Sequence, residues 1–133
     1  MDSSTQKYVV LHHVLSAGQH WDLMLQTGAK LATWQLAAPP PPPPGGSIAA
    51  RRIGEHRMDY LEYEGPVSGD RGNVSRVDRG SLRLLARSAD DWVFELAGRL
   101  CRGVYRLVRS PSQSEDLWLF QLHSGETADR GNA

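Results

Sequence analysis

His20 and Asp22 stand two residues apart in His20-Trp21-Asp22-Leu23-Met24-Leu25, a segment that alternates from Trp21 onward. On a strand, residues at that spacing share a face. An imidazole and a carboxylate therefore project side by side while Trp21, Leu23 and Leu25 pack the opposite face. His13 lies seven residues earlier, at the end of the apolar run Tyr8-Val9-Val10-Leu11, and a short crossing through Ser16-Ala17-Gly18 brings it against His20. Two imidazoles and one carboxylate suit a borderline divalent ion with positions left open for water or substrate. Zn²⁺ or Mn²⁺ held there would polarise a phosphoryl oxygen and lower the pKa of bound water. The same triplet also reads as a hydrogen-bonded His–Asp pair without metal.

His56 follows Arg51-Arg52-Ile53-Gly54-Glu55, and Tyr60 comes four residues later. With a free pKa near neutrality, His56 suits a phosphate ligand or a general acid. The Tyr60 hydroxyl could donate to a phosphoryl oxygen, and Arg51 and Arg52 could bring positive charge to the same rim. The alternatives are an exposed loop histidine and a core-edge tyrosine. His20, Asp22 and His56 can also be read as the two-histidine, one-carboxylate set of a non-haem Fe(II) oxygenase, a reading that leaves His13 unused. His12 should face away from His13, and His123 reads as surface. Cys101 has no histidine beside it to make it a nucleophile. No P-loop, G-x-G-x-x-G or H-E-x-x-H occurs.

The elements that must position these groups read as short strands. After Tyr8–Leu11 and His20–Leu25, Gly28 turns the chain into Leu31–Leu36, a hairpin whose register the loop from Gln26 to Lys30 leaves open. Pro39 to Pro44 cannot donate hydrogen bonds, so it is predicted to be a surface polyproline II segment acting as a stiff loop between strands. Strands are then expected at Tyr60–Pro66, Val74–Val77, Ser81–Leu85, Trp92–Ala97, Val104–Val108 and Leu117–Leu122, with Asp78-Arg79-Gly80 as a turn. No long stretch has helical periodicity. The series predicts an all-β fold, a compact antiparallel β-barrel of short strands with long surface loops, over 7–123. A flexible polar tail is expected over 124–133. Trp21, Trp34, Trp92 and Trp118 are assigned to the core rather than to a base-stacking platform.

Composition bounds the rest. The chain has 133 residues, one cysteine, and fifteen basic against fifteen acidic residues. One domain is expected, and disulfide scaffolds and four-cysteine zinc sites are excluded. No apolar run approaches the roughly 18 residues of a membrane span. A soluble, cytoplasmic monomer without membrane contact is the expectation. Neutrality argues against bulk electrostatic capture of nucleic acid, yet residues 71–109 hold nine arginines against four acids, a net of +5. That stretch is either a solvated face or a surface turned to phosphates, for which arginine's planar fork is suited.

These residues resemble the 3′-phosphoesterase domain family found at the N-terminus of bacterial ligase D proteins and as small stand-alone proteins. The resemblance is carried by YVVLHH, HWDLML, the G-x-x-L-x-T-W hairpin ending at Trp34, EHRMDYLEYEGPVS and the DRG at Asp78–Gly80. FELAGRLCRGVYRLVR and DLWLFQL complete it, so that it spans about residues 7 to 123. It implies a compact β-barrel with a Mn²⁺-type site. The implied activity trims 3′-terminal ribonucleotides and removes 3′-phosphates from DNA ends during non-homologous end joining, with ligase or polymerase partners supplied in trans. Carried over by position, His13, His20 and Asp22 would be the metal ligands, His56 would contact the scissile phosphate and Tyr60 would help set it. The chain departs from the family where Met24 replaces an arginine two residues after the metal-binding aspartate. It also departs at Ala37-Ala38 in place of Pro-Lys, at Gly54 in place of an acid, and in a His13-to-His20 spacing one residue longer. Either Arg51 or Arg52 then compensates for the missing clamp, or the activity is weakened. The extreme case is an end-binding scaffold.

Overall fold

The computed structural model describes residues 6–111 and 117–124. Nine strands occur in it: β1 (Gln6–Leu15), β2 (Gly18–Thr27), β3 (Lys30–Leu36), β4 (Ser47–Arg57), β5 (Gly65–Pro66), β6 (Asn73–Arg87), β7 (Asp91–Gly98), β8 (Arg102–Arg109) and β9 (Leu117–Ser124). They pair antiparallel in the order β1-β2-β3-β4-β9-β8-β7-β6, and β6 returns to β1, closing an eight-stranded barrel. The short β5 adds to β6 outside that ring. The all-β barrel expected from the strand series is the observed fold. Ser124 ends β9, and the remainder of the expected tail lies outside the described residues.

Alternation decides what fills the barrel. Tyr8 and Val10, Leu23 and Leu25, Trp34 and Leu36, Trp92 and Phe94, Leu107, Trp118 and Phe120 form one buried cluster inside. Trp34 meets Trp92 and Trp118 edge to face, with ring centroids 5.0 and 5.5 Å apart. Trp21 is only half-buried and stacks on His12 at 4.7 Å. The opposite parity on β1–β3 is buried as well: Val9, Leu11, Met24 and Leu31 form a second cluster with Val74 of β6, packed with Met58, Tyr60, Leu61 and Val67. The wall β1–β2 is therefore covered on its outer face by the segment that follows β4.

Three sequence expectations change. Ser47–Arg57 is a strand that apolar alternation does not reveal, because Arg52 follows Ile48 and Ala50 at the inward parity. Its guanidinium carbon lies 4.9, 5.2 and 5.9 Å from the Trp34, Trp92 and Trp118 rings, so cation–π contact replaces an apolar side chain. Tyr60–Pro66 is not a continuous strand: Met58–Leu61 is a single 3-10 turn, with Glu62 N–H donating to Asp59 O. Asp78-Arg79-Gly80 is not a turn but the middle of β6, beside a bulge where Val10 pairs Asp78 and Leu11 pairs Arg76. The proline segment does join two strands as a loop. Pro40 and Pro42 are buried in it, so it is less of a free arm than expected.

Candidate metal centre

A two-residue turn, Ser16-Ala17, joins β1 to β2 with Leu15 opposite Gly18. That register makes His13 and His20 direct cross-strand partners and sets Leu11 against Asp22. The seven-residue spacing is what a two-residue turn needs for the two imidazoles to face one another. Both histidines and Asp22 lie on the outer face that also carries Leu11 and Met24. One ligand atom from each of His13, His20 and Asp22 comes within 4.8 Å of the others. His56 is not in that group, so the structure does not assemble the oxygenase-type set of His20, Asp22 and His56. His12 faces the other way, as expected.

The local bonding directs lone pairs inward. His13 Nε2 lies 2.7 Å from the Arg71 carbonyl oxygen, which can only accept, so Nε2 carries the proton. Nδ1 lies 3.5 Å from Asp22 Oδ2, and in the neutral ring it carries the lone pair. His20 Nε2 and Asp22 Oδ1 are 3.2 Å apart, yet both are buried and neither makes a hydrogen bond. Burial, and then the neighbouring His13 and His12, lower the His20 pKa and keep it neutral. Burial also holds the Asp22 carboxyl above the usual carboxylate range, against the pull of His13. Two imidazole nitrogens and a desolvated carboxylate oxygen form a donor set that fits a divalent transition ion, and the orphaned atoms are the ones such an ion would satisfy. The Arg71 carbonyl would fix the tautomer of His13 as a coordinating imidazole.

His56 sits near the end of β4, its ring 5.3 Å from Tyr60 in an edge-to-face contact. Nδ1 donates to Gly54 O at 3.1 Å, leaving Nε2 as an acceptor. Burial lowers its pKa in spite of that bond, and the charge of His13 lowers it further. The resting side chain is thus neutral, and an arriving phosphate dianion would draw a proton back onto it. Tyr60 is half-buried against the outer apolar cluster.

The two arginines part company. Arg51 is exposed, pairs with Gln35, and shares with His20, Gln35 and Ala49 a shallow trough running from the His–Asp group across β3 and β4. Arg52 is half-buried and lies at the inward parity over three indoles. Strand parity separates the two arginines, one to each face of β4. Met24 is 1% exposed within the outer cluster, so the position that would hold a clamping arginine is filled by packing.

Sequence reasoning misses Gln35 and the Arg71 carbonyl. Gln35 sits opposite Asp22 because Thr27 pairs with Lys30 across the two-residue turn Gly28-Ala29, where Gly28 has φ 79°. Reading Gly28 as the first residue of a tight hairpin turn would have found it. Arg71 acts through its backbone and leaves no sequence signal. In the 71–109 stretch, Arg83, Arg106 and Arg109 pair with Glu95, Asp91 and Asp90 of the same stretch, and Arg79 faces Glu62. The three pairs inside the stretch already cancel within the net of +5, so among the described ion pairs the Arg79–Glu62 contact alone draws on that excess.

A model of the family described as the DNA Ligase D 3′-phosphoesterase domain matches residues 11–109 of the chain, a range that contains His13, His20, Asp22, His56 and Tyr60. A comparison with curated proteins returns no match.

Proposed function

The chain belongs to the DNA ligase D 3′-phosphoesterase domain family, and on that premise we propose that it hydrolyses phosphoesters at nucleic-acid 3′ ends with a divalent transition ion held by His13, His20 and Asp22. Membership implies chemistry of the 3′-phosphoesterase type. The observation that carries the finer reading is the pair of buried, unpartnered atoms, His20 Nε2 and Asp22 Oδ1, beside His13. Mn²⁺ or a similar ion would supply there an activated water and positive charge against the phosphoryl oxygens. His13, held by Arg71 O, keeps its Nδ1 aimed at the group. His56, neutral at rest, accepts a proton as the phosphate arrives and returns it to the leaving oxygen. Tyr60 holds the His56 ring by edge contact, and Arg51 offers the cation that Met24 does not. Single-domain organisation over 7–123, DNA or mixed DNA/RNA 3′ ends as substrate, a place in end-joining repair, and ligase and polymerase partners in trans belong to the same proposal.

The test is phosphate release from a 3′-phosphorylated oligonucleotide with Mn²⁺, Zn²⁺, Co²⁺ or Mg²⁺. Release is expected with at least one ion, and His20→Ala is expected to abolish it. No turnover with any of the four ions would reject the reading. Arg51→Ala is expected to cut kcat/KM by about 10- to 100-fold, the range for a lost charged contact to phosphate. Arg52→Ala should instead lower stability through lost indole contact while leaving KM near native. Equal kinetic losses in the two variants would contradict the assignment by parity.

The buried Met24 favours one second reading, a barrel that binds 3′ ends without processing them. Its signature is oligonucleotide binding that His20→Ala leaves intact, with no product under any metal.

A further inference from the structure

Beyond the His56–Tyr60 pair the cover segment leaves a groove of about 530 Å³, lined by Arg57, Asp59, Tyr60, Tyr63, Val67 and Ser68. Three rings lead into it from the reacting side. His56 contacts Tyr60 at 5.3 Å, and Tyr60 contacts Tyr63 at 5.8 Å, each nearly perpendicular to the next. Tyr60 is needed by the fold, since it packs on the outer cluster. Tyr63 belongs to neither apolar cluster and is 36% exposed, among the few large apolar side chains left open. It is nonetheless fixed, because its hydroxyl donates to Pro66 O and Gly65 leaves room for that contact. A fixed aromatic ring that the core does not use loses little entropy when another ring stacks on it.

We propose that this groove seats the nucleoside adjoining the 3′-terminal phosphate, its base stacked on Tyr63 and its backbone phosphate turned toward Arg57. The inference rests on the nucleic-acid 3′-end reading of the neighbouring site. The ligand is an unpaired nucleotide, since only an unstacked base can lie against a tyrosine ring. Asp59 on the same rim can only accept hydrogen bonds when ionised. It excludes phosphate from its side and meets base amino groups or water. With one ring and no buried donor set for a base edge, the groove takes any of the four bases.

The test is a single-stranded oligonucleotide carrying 2-aminopurine next to a 3′-phosphate, titrated with metal-free protein so that no turnover occurs. Saturable quenching is expected for the native chain. Tyr63→Ala should weaken binding about tenfold and abolish the quench. Tyr63→Phe, which keeps the ring and loses its tether to Pro66, should keep most of the quench. Thermal melting of both variants shows whether they fold. Native-like quenching by Tyr63→Ala, or none by the native chain, overturns the groove assignment. The 3′-phosphoesterase reading is judged separately, by phosphate release with metal: release with an unchanged KM in Tyr63→Ala rejects the groove and leaves that reading standing, whereas no release from the native chain counts against that reading alone.

Discussion

Asp22→Asn is expected to make the metal-free protein more stable and, at the same time, to remove its response to metal. The reason lies in what meets at the site. Asp22 is 3% exposed. Its Oδ1 has no partner, and its Oδ2 faces His13 Nδ1, the ring nitrogen turned away from the Arg71 carbonyl. His20 adds a second unpartnered nitrogen 3.2 Å away. Whenever the His13 ring is neutral, acceptors confront acceptors in a desolvated position, an arrangement that destabilises the free protein. Asparagine replaces one acceptor with an N–H donor and removes the buried charge, a gain of about 1 kcal/mol or a few degrees in Tm. In the native chain, Mn²⁺ at a thousand times its Kd stabilises by about 4 kcal/mol, a rise on the order of 10 °C. The asparagine variant should show almost none of that rise, and turnover should fall by about a thousandfold or more. Thermal melts of both proteins with and without metal decide it. A variant that melts below the native chain without metal would mean that Asp22 is a structural hydrogen-bonding group.

The site is more legible in the sequence than the elements around it, for a physical reason. His13, His20 and Asp22 lie on one tight hairpin, so their convergence follows from period-two alternation and a two-residue turn, both local. His56 and Tyr60 depend on a 3-10 turn and on packing over Val9, Leu11 and Met24, which are non-local. Alternation misled at Tyr60–Pro66 because an apolar-polar rhythm serves a covering segment as well as a strand. It failed at Ser47–Arg57 for the opposite reason, since Arg52 takes an inward position that only three converging indoles make tolerable. Those indoles come from β3, β7 and β9, and no window of sequence contains them. Neutral net charge likewise concealed that most acids of the Arg-rich stretch are committed to particular arginines.

Asp78 shows the same limit at the centre of the barrel, and its loss carries the second large expected effect. The bulge at Val77 puts Asp78 on the inner face with Leu82, whereas unbroken alternation would send it outward with Val74. There it accepts the Tyr8 hydroxyl at 2.6 Å and the backbone N–H groups of Arg99, Leu100 and Cys101 at 2.9 to 3.0 Å, closing the turn between β7 and β8. Gly98 makes room for it, since a Cβ there would run into the Tyr8 hydroxyl and lie 2.9 Å from Asp78 Oδ1. Asp78→Ala strands four donors, the Tyr8 hydroxyl and Cys101 N–H in buried positions and the Arg99 and Leu100 N–H groups in part-buried ones. It should cost about 4 kcal/mol, a large share of the stability of a domain this size, as read by denaturant unfolding. Burial raises the Asp78 pKa, but the bonds from Tyr8, Leu100, Cys101 and Arg99 outweigh it and hold the carboxyl below its ordinary 3.8. Its contribution is therefore complete above the ordinary value and is lost as pH falls through the lower folded one. Native stability should drop steeply below about pH 4, and Asp78→Ala should lack that part of the slope. Tyr8, pushed far above its usual range by burial and then by Asp78, stays protonated across the accessible alkaline range, so no matching loss is expected there. An alanine variant within about 1 kcal/mol of native, with the same acid slope, would show that the bulge and the turn hold without the carboxylate. The DRG at this position would then have to be explained by something other than barrel closure.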